Sequence, residues 1–377
     1  MKRRRIIVNI KFVIRQFIKM GVQSLFLPVV YQLCKKKNVD QNCIVFADAH
    51  HEDMPFSMRY LYQAVKKNGM HVVMQFSDYG KGSFLDNLKN MLQFMRVYAN
   101  AGYVVVCDNF LPAASCKKRP ETKVIQLWHG CGALKKFGYD TPEDIPPYYK
   151  GNVLRNCDCV TVSAPWCVPY FASAMALPQE RIMPLGISRT DLYYRPEFLK
   201  TVRKRFQNEY PQAAGKKVLL WAPTFRGNAA QARVCGRKAI GRLAHQLGEE
   251  WCVIQCLHPH MQKKVCKGSH MTAEELLPVT DLLITDYSSI LFDYLIFQKP
   301  LVRFVPDYQE YCKNRGFYMD YEALPGAMVE SEDDLYAAVV KEAQNYDKAA
   351  LQDTFEKYMS ACDGHATERI MKWLKEA

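Results

Sequence analysis

The chain has 377 residues, which is too long for one ordinary domain and suggests two or three. Its 49% hydrophobic and 24% charged residues exclude a disordered chain, and its 19 glycines and 19 prolines, without a period, exclude a fibrous one. Residues 1–39 contain ten Lys or Arg and no acidic residue, so ten units of the +13 net charge lie in this segment. The rest of the chain contains 41 basic and 38 acidic residues. The chain after residue 39 is therefore nearly neutral, which argues against nucleic-acid binding.

The first 40 residues combine this basic charge with many apolar side chains. Their longest uncharged run, residues 20–34, falls short of the roughly 18–20 residues that a membrane-spanning helix needs. No cleavage site of a secretory signal follows it. A basic amphipathic segment suits the surface of an anionic membrane, so we expect residues 1–38 to hold the protein peripherally on the cytoplasmic face of the cell membrane. A solvated arm, or a helix packed on the body, is the alternative.

The fourteen cysteines do not have the spacing of a disulfide framework. Several lie inside apolar runs, where cysteine behaves as a small hydrophobic residue, so a reducing compartment is expected. Cys252, Cys256, His258 and His260 are close enough in sequence to be considered as metal ligands. Because no second ligand pair has zinc spacing, we expect no metal there.

From residue 43 onward, short apolar runs alternate with amphipathic stretches, a pattern typical of parallel sheets buried on both faces. The predicted strands are residues 43–47, 71–76, 103–107, 124–127, 159–163, 218–222, 252–257, 282–285 and 301–304. The predicted helices are residues 57–67, 83–98, 165–174, 198–210, 237–247, 273–279, 289–297, 331–345 and 350–376. Two βα series of similar size predict two Rossmann-like domains, with ligands bound beyond the carboxyl ends of the strands.

The motif VIQLWHGCG brings Trp128 and His129 to the end of a predicted strand. The following glycines, Gly130 and Gly132, allow a tight turn whose backbone N–H groups approach a phosphate. An imidazole, with its ordinary pKa of about 6.5, is suited to removing a proton from a hydroxyl beside that phosphate. A hydrogen-bonded structural histidine is the alternative.

The motif APTFR follows the strand predicted at residues 218–222. Pro223 ends the strand, and Thr224 offers a hydroxyl and a backbone N–H. Arg226 is a planar cation suited to binding diphosphate. A loop with one solvated arginine is the alternative.

Two more predicted strands end in residues able to bind an anion. His258 leaves a strand in CLHPH, and we expect it, rather than His260, to be functional. In TDYSSILFD, Ser288 and Ser289 fall where a helix begins, so hydroxyls and unpaired N–H groups predict an anion site. Asp293, one turn further on, would face a ligand hydroxyl; plain helix capping by Ser288 is the alternative.

In this order, WHG, APTFR, HPH and TDYSSxxFD, followed by DGHATERI at residues 363–370, resemble the CDP-glycerol glycerophosphotransferase family, whose enzymes build teichoic-acid-type polyol-phosphate polymers on lipid carriers. The resemblance covers about residues 43–372. It implies an α/β fold of GT-B type, in which two Rossmann-like domains face a central cleft. It also implies transfer of a polyol phosphate from a CDP-alditol donor, with release of CMP.

The expected organisation has four parts: a membrane-interface segment (1–40), an acceptor-side domain (41–195), a nucleotide-donor domain (196–348) and helices that cross back to the first domain (349–377). By resemblance, His129 and His258 contact the donor. In our interpretation His129 is the candidate general base that deprotonates the acceptor and His258 stabilises charge on the diphosphate, although the sequence leaves open which histidine is the base. The expected donor-binding residues are Gly130, Cys131, Gly132, Arg189, Pro223, Thr224, Arg226, Ser288, Ser289 and Asp293. No metal and no cofactor are expected.

This chain departs from the family pattern in two places. Cys131 and Gly132 stand where many members have Thr or Ala, and Cys256 stands where many have a Lys or Arg two residues before the HPH histidine. The second change removes a charge that would pair with phosphate, so it bears on which donor is used. Glycerol and ribitol both remain open, as do lipid-linked and glycan acceptors. The alternative functions are a GT-B sugar-nucleotide glycosyltransferase or epimerase, and a non-catalytic, membrane-associated glycan-binding protein.

Overall fold

The computed structural model describes residues 18, 20–142, 144–145, 151–224, 226, 233–256 and 271–376. The chain divides into two compact units. The first contains Met1–His129, Lys150–Thr161 and Ile370–Ala377, and the second contains Gly130–Tyr149 and Val162–Arg369. The domain limits expected at residues 40, 195 and 348 stay a prediction.

The first unit contains a parallel sheet in which five strands run in the order β2-β1-β3-β4-β5. Its strands are β1 (Asp40–Asp48), β2 (His71–Phe76), β3 (Ala101–Val106), β4 (Lys123–Gln126) and β5 (Cys159–Thr161). Its helices include α1 (Leu27–Cys34), α2 (Phe56–Lys67), α3 (Phe84–Tyr98) and α4 (Leu111–Ala114). In the register of the sheet, Val45 lies opposite both Val73 and Val104. Central strands of such a sheet are covered on both faces, which explains their continuous apolar runs.

Helix α1 follows a π-helical turn, Val22–Phe26, and is fixed to the first unit by one side. Leu27 and Tyr31 are fully buried, and the Tyr31 ring lies 5.2 Å from that of Tyr98. The structure therefore contains a packed helix within the segment expected at the membrane, while residues 1–17 lie outside the described part of the chain. No helix among the described residues is long and apolar enough to cross a bilayer.

The second unit contains a five-stranded parallel sheet in the order β11-β10-β9-β7-β8, together with the short strand β6 (Ile182–Met183). The strands of the sheet are β7 (Lys217–Ala222), β8 (Trp251–Gln255), β9 (Leu282–Thr285), β10 (Leu301–Phe304) and β11 (Ala327–Val329). The helices are α5 (Val168–Met175), α6 (Pro196–Glu209), α7 (Arg237–Leu247), α8 (Ala273–Leu276), α9 (Ile290–Leu295), α10 (Tyr308–Asn314), α11 (Leu335–Gln344) and α12 (Lys348–Met359). Helix α13 (Ala366–Glu376) begins in this unit and ends in the first.

One hydrophobic core of the second unit packs against β7, β9 and β10 of its sheet. Trp221 from β7, Ile240 and Leu243 from α7, and Val339 from α11 are all nearly or fully buried in it. Leu220 lies opposite Leu283, which in turn lies opposite Leu301, so the central strands present apolar side chains in register. This packing fixes the carboxyl ends of β7 and β9, where the polar motifs follow.

The α/β fold with two parallel sheets is confirmed, and every predicted strand overlaps an observed one. Leu257, the last residue of the strand predicted at 252–257, lies outside the described residues. The predicted helix over 350–376 is wrong, because α12 and α13 are separate. Between them Gly364 has a φ of +90°, a conformation that a continuous α-helix does not contain. None of the described cysteines forms a disulfide.

Candidate active site

In the first unit, polar residues follow the carboxyl ends of β1, β3 and β4. Asp48 ends β1, is 1% exposed, and accepts the backbone N–H of His50 at 2.7 Å and Nδ1 of His51 at 2.8 Å. Burial acts to raise the pKa of Asp48, but the hydrogen bonds from His51 and His50 outweigh it and hold the pKa below its ordinary value. The same bond raises the pKa of His51, so a charged pair is built into the loop after β1.

His129 lies beside a carboxylate at this edge. Its Nδ1 is 3.6 Å from Oδ2 of Asp108 and 3.4 Å from the carbonyl oxygen of Cys107. Both neighbours are hydrogen-bond acceptors, so they favour the tautomer with the proton on Nδ1 and leave Nε2 as the atom that accepts a proton. The side chain of His129 is 52% exposed, so a substrate hydroxyl has access to it.

The turn that orients His129 has an unusual backbone conformation. Trp128 has a φ of +57°, a conformation that bulky residues rarely adopt outside functional sites, and its ring stacks on that of His129 at 4.5 Å. The buried Gln126 side chain accepts the Trp128 N–H at 3.0 Å and donates to the Asp108 carbonyl at 2.9 Å. Gln126 therefore joins the histidine turn to the loop that carries its carboxylate.

Sequence reasoning predicted His129 but missed Asp108 and Gln126. The signal for Asp108 was present, since an acidic residue directly after the apolar run VVVC is another polar strand end. Gln126 had no comparable signal, because a glutamine inside a short strand indicates a role only when its two partners are known.

The glycine turn after His129 lies in the second unit. Gly132 has a φ of +66°, and a Cβ atom there would lie 2.5 Å from the ring of Phe292, so glycine is required. Its N–H, however, donates to Ser163 Oγ at 2.9 Å. The expectation that this N–H is open to a phosphate is corrected, because Ser163 already accepts it. Gly130 is buried.

Three predicted donor-binding residues are instead packed against one another. Cys131, Arg189 and Asp293 are each at most 2% exposed, and Arg189 donates to the Asp293 carboxylate at 2.9 Å. Cys131 Sγ lies 3.7 Å from the other carboxylate oxygen and 3.6 Å from the guanidinium. Burial raises the pKa of Asp293 to about 6, and Arg189 keeps its carboxylate ionised at neutral pH. Each carboxylate oxygen of Asp293 therefore has a partner within the protein, and its contact with a ligand hydroxyl stays a prediction.

Arg226 is engaged in a similar way. It is 2.6 Å from Asp307 and 3.0 Å from Asp286, and its guanidinium lies over the rings of Tyr287 and Tyr311. Two carboxylates pair with its single charge and hold the guanidinium within the fold, and the diphosphate-binding role of Arg226 stays a prediction.

The other predicted residues of this unit lie where expected in the fold. Pro223 ends β7 and is buried, and the Thr224 N–H donates to Asp286 at 2.8 Å. Ser288 and Ser289 precede α9 and are partly buried. Helix α9 has only six residues, and Ser289 makes no side-chain capping bond, so the anion site predicted there depends on the hydroxyls more than on a helix dipole.

His258 and His260 lie outside the described residues, so the predicted role of His258 stays a prediction. Among the described residues, one group of three potential metal ligands is close together, namely Asp40, Cys43 and His71. It lies at the amino ends of β1 and β2, the opposite edge from His129.

Comparison with known proteins gives a consistent family. The sequence profile described as CDP-Glycerol:Poly(glycerophosphate) glycerophosphotransferase matches residues 29–376. The chain is 28% identical to a teichoic acid ribitol-phosphate primase of Bacillus spizizenii, covering 96% of this chain and 97% of that protein. It is 30% identical to a teichoic acid glycerol-phosphate primase of Bacillus subtilis, covering 72% and 73%. It also matches a teichoic acid poly(ribitol-phosphate) polymerase of B. spizizenii, at 30% identity, of which it spans 60%.

Solved structures agree with the fold. The wall teichoic acid polymerase TagF matches with a TM-score of 0.77 at 23% identity, covering 93% of this chain and 92% of that one. A putative UDP-N-acetylglucosamine 2-epimerase of Listeria monocytogenes matches with a TM-score of 0.57 at 13% identity, covering 89% and 96%, a likeness of fold alone. Since the family profile spans nearly the whole sequence, the resemblance is confirmed, and the chain belongs to the CDP-glycerol:poly(glycerophosphate) glycerophosphotransferase family.

Proposed function

We propose that this protein transfers a polyol phosphate from a CDP-alditol to a hydroxyl of a lipid-linked or glycan acceptor, and that CMP is released. The relatives are named as teichoic acid primases and polymerases, which supports polyol-phosphate transfer in that type of synthesis. The observation that carries the mechanism is the half-exposed His129, whose Nδ1 faces Asp108 and whose Nε2 is left as the proton acceptor.

In the proposed reaction, Nε2 of His129 removes the proton of the acceptor hydroxyl. The hydroxyl oxygen then attacks the phosphorus that carries the polyol, the bond from that phosphorus to the bridging oxygen of the diphosphate breaks, and CMP leaves. Asp108 orients the imidazole and stabilises the imidazolium that forms. Ser288, Ser289 and His258 are the proposed partners of the diphosphate, where charge accumulates.

Both glycerol and ribitol remain candidate polyols. Relatives named for each polyol cover most of the chain, and a TagF structure described as soaked with CDPG matches at 25% identity with a TM-score of 0.74. These findings support a cytidine diphosphate donor. We also propose a GT-B arrangement, with the donor on the second unit.

Peripheral membrane binding is part of this proposal. The outer side of α1 and of the preceding turn exposes Leu25, Val29 and Leu33 at 72%, 57% and 81%. Apolar side chains spaced by four residues form one side of a helix. Together with the basic residues at the start of the chain, this surface supports attachment to an anionic membrane, on which a lipid-linked acceptor would be found.

The test is CMP release by the purified full chain with CDP-glycerol, CDP-ribitol and UDP-N-acetylglucosamine, each with a lipid-linked acceptor analogue. We expect release from at least one CDP-alditol and none from the UDP-sugar. His129→Asn should lower kcat by about 100-fold or more, and Asp108→Asn by about 10- to 100-fold, because both act on proton transfer. Donor affinity should be unchanged. His71→Asn is the matched control, since this exposed histidine begins β2 at the opposite edge of the same sheet.

Turnover of the UDP-sugar alone would support the glycosyltransferase alternative. Absence of turnover with every donor, while glycan binding persists, would support the non-catalytic one. Full activity of His129→Asn would remove the histidine from the mechanism even if the reaction is as proposed.

A further inference from the structure

Lys135 is a partly buried cation of the second unit that the proposed mechanism does not use. Its backbone pairs with Phe317 in an antiparallel bridge. In the next residue, the Lys136 N–H donates to the Gly316 carbonyl at 3.2 Å. The backbone of Lys135 is therefore held by a second segment of the unit, and its side chain starts from a fixed position.

The charged groups near Lys135 are paired with one another rather than with it. Arg226 is 3.0 Å from Asp286, and Arg315 is 2.7 Å from Asp144. Across the described part of the chain, no carboxylate lies within ion-pair distance of the Lys135 ammonium. Among the described residues, the Lys135 ammonium thus has no ion-pair partner, although Asp286 and Asp144 act on it from a longer distance.

The surroundings disfavour that charge. Burial, with the positive charges of Arg315 and Arg226, lowers the pKa of Lys135 to about 8, although Asp286 and Asp144 act in the opposite direction. A partly desolvated ammonium without a partner is costly to the folded protein unless an anion completes the pair. A bound polyanion would provide the missing counter-charge.

Two predicted donor-binding segments flank this position. Gly132 precedes Lys135 by three residues. Phe317, whose backbone pairs with that of Lys135, has its ring 5.7 Å from the ring of Tyr287, the residue before Ser288. We propose that the Lys135 ammonium binds the diphosphate of the CDP-alditol donor. This inference rests on the proposed function, and it adds a donor-binding cation to a site in which Arg189 and Arg226 are each paired with carboxylates of the protein.

The experiment compares Lys135→Gln with Lys136→Gln. The two variants remove the same charge from adjacent residues, and Lys136 is exposed. Titration of each full-length variant with CDP-glycerol and with CDP-ribitol should show affinity for the better donor falling by about 10- to 100-fold for Lys135→Gln, because a charge-assisted hydrogen bond is lost. The change for Lys136→Gln should stay within about twofold. The loss should be in donor KM more than in kcat.

The pH dependence of donor affinity provides a second measurement that does not need Lys135→Gln to fold. A lysine whose pKa is lowered to about 8 loses its charge as the pH rises through that value, so wild-type affinity should fall by up to about tenfold per pH unit above it. The diphosphate diester keeps its charge over this range. Lys135→Arg should bind the donor at neutral pH and lack this loss between pH 8 and 9.5, since arginine stays protonated.

The outcomes separate the two proposals. If wild-type protein binds and turns over no CDP-alditol, the proposed function fails. If wild type is active but Lys135→Gln behaves like Lys136→Gln, or wild-type affinity is constant from pH 7 to 9.5, the role of Lys135 is wrong while the function stands.

Discussion

Among individual residues, the Arg189–Asp293 pair shows how a motif residue can act through the fold. Both side chains are almost fully buried, and their separation of 2.9 Å is that of a charged hydrogen bond. Removing one partner of such a pair leaves a buried charge without compensation. The pair therefore joins the segment around residue 189 to α9, which follows Ser288 and Ser289.

We predict that Asp293→Asn lowers the free energy of unfolding by about 3–5 kcal/mol, because the Arg189 guanidinium is left buried and unpaired. Urea denaturation measures this. The matched control is Glu332→Gln, which removes the same charge from a surface pair with Arg242 and should cost less than about 1 kcal/mol. If Asp293 instead contacts the donor, Asp293→Asn would raise donor KM and leave unfolding nearly unchanged.

The sequence predicts candidate site residues from their places at strand ends, but it does not predict their partners in the fold. His129 was predicted from its place after a strand, and it does lie at the carboxyl edge of the first sheet. Arg226 was predicted for the same reason, yet two distant aspartates, Asp286 and Asp307, pair with it. The hydrophobic pattern of the sequence shows where a strand ends. Which charged residues pair depends on which strands lie next to one another in the sheet, and the pattern does not show this.

At the level of helices and strands, prediction succeeded for short apolar runs that form strands and for a helix long enough to show its period. Strands β2, β9 and β10 and helix α7 have the predicted limits. Short helices such as α4 and α10 were missed, because four to seven residues are too few to show a helical period. Helix α1 was expected only as part of a membrane segment, and its buried Leu27 and Tyr31 show that it is also part of the body.

The exposed side of α1 makes a prediction for membrane binding. Leu33→Glu should weaken binding to vesicles containing phosphatidylglycerol by about 30-fold or more, because an apolar contact is lost and a repelled charge is added. Leu33 is 81% exposed, so the free energy of unfolding should stay unchanged. Gln32→Glu adds the same charge at the neighbouring, exposed position and is the control. Equal binding of both variants in a sedimentation assay would rule out this side of α1 as the membrane contact.

At the scale of the whole molecule, the two parallel sheets and the family were within reach of the sequence, because motif order and βα alternation extend over the full chain. The sequence did not predict which charged residues are paired. Near the predicted donor-binding residues, the described carboxylates of Asp286, Asp293 and Asp307 are each paired with an arginine. A divalent cation would have to compete with those arginines for its ligands.

We therefore predict that CMP release does not depend on a divalent metal. Incubation with excess EDTA should change the rate by less than about twofold, since the proposed lysine, histidine and serine partners of the diphosphate would provide the stabilisation that magnesium provides in many phosphoryl transfers. Cys43→Ala, which removes one potential ligand from the group formed with Asp40 and His71, should respond to EDTA as wild type does. A rate that collapses with EDTA and returns with magnesium would contradict the prediction. If only wild type, and not Cys43→Ala, is sensitive to EDTA, the metal acts at the opposite edge of the first sheet.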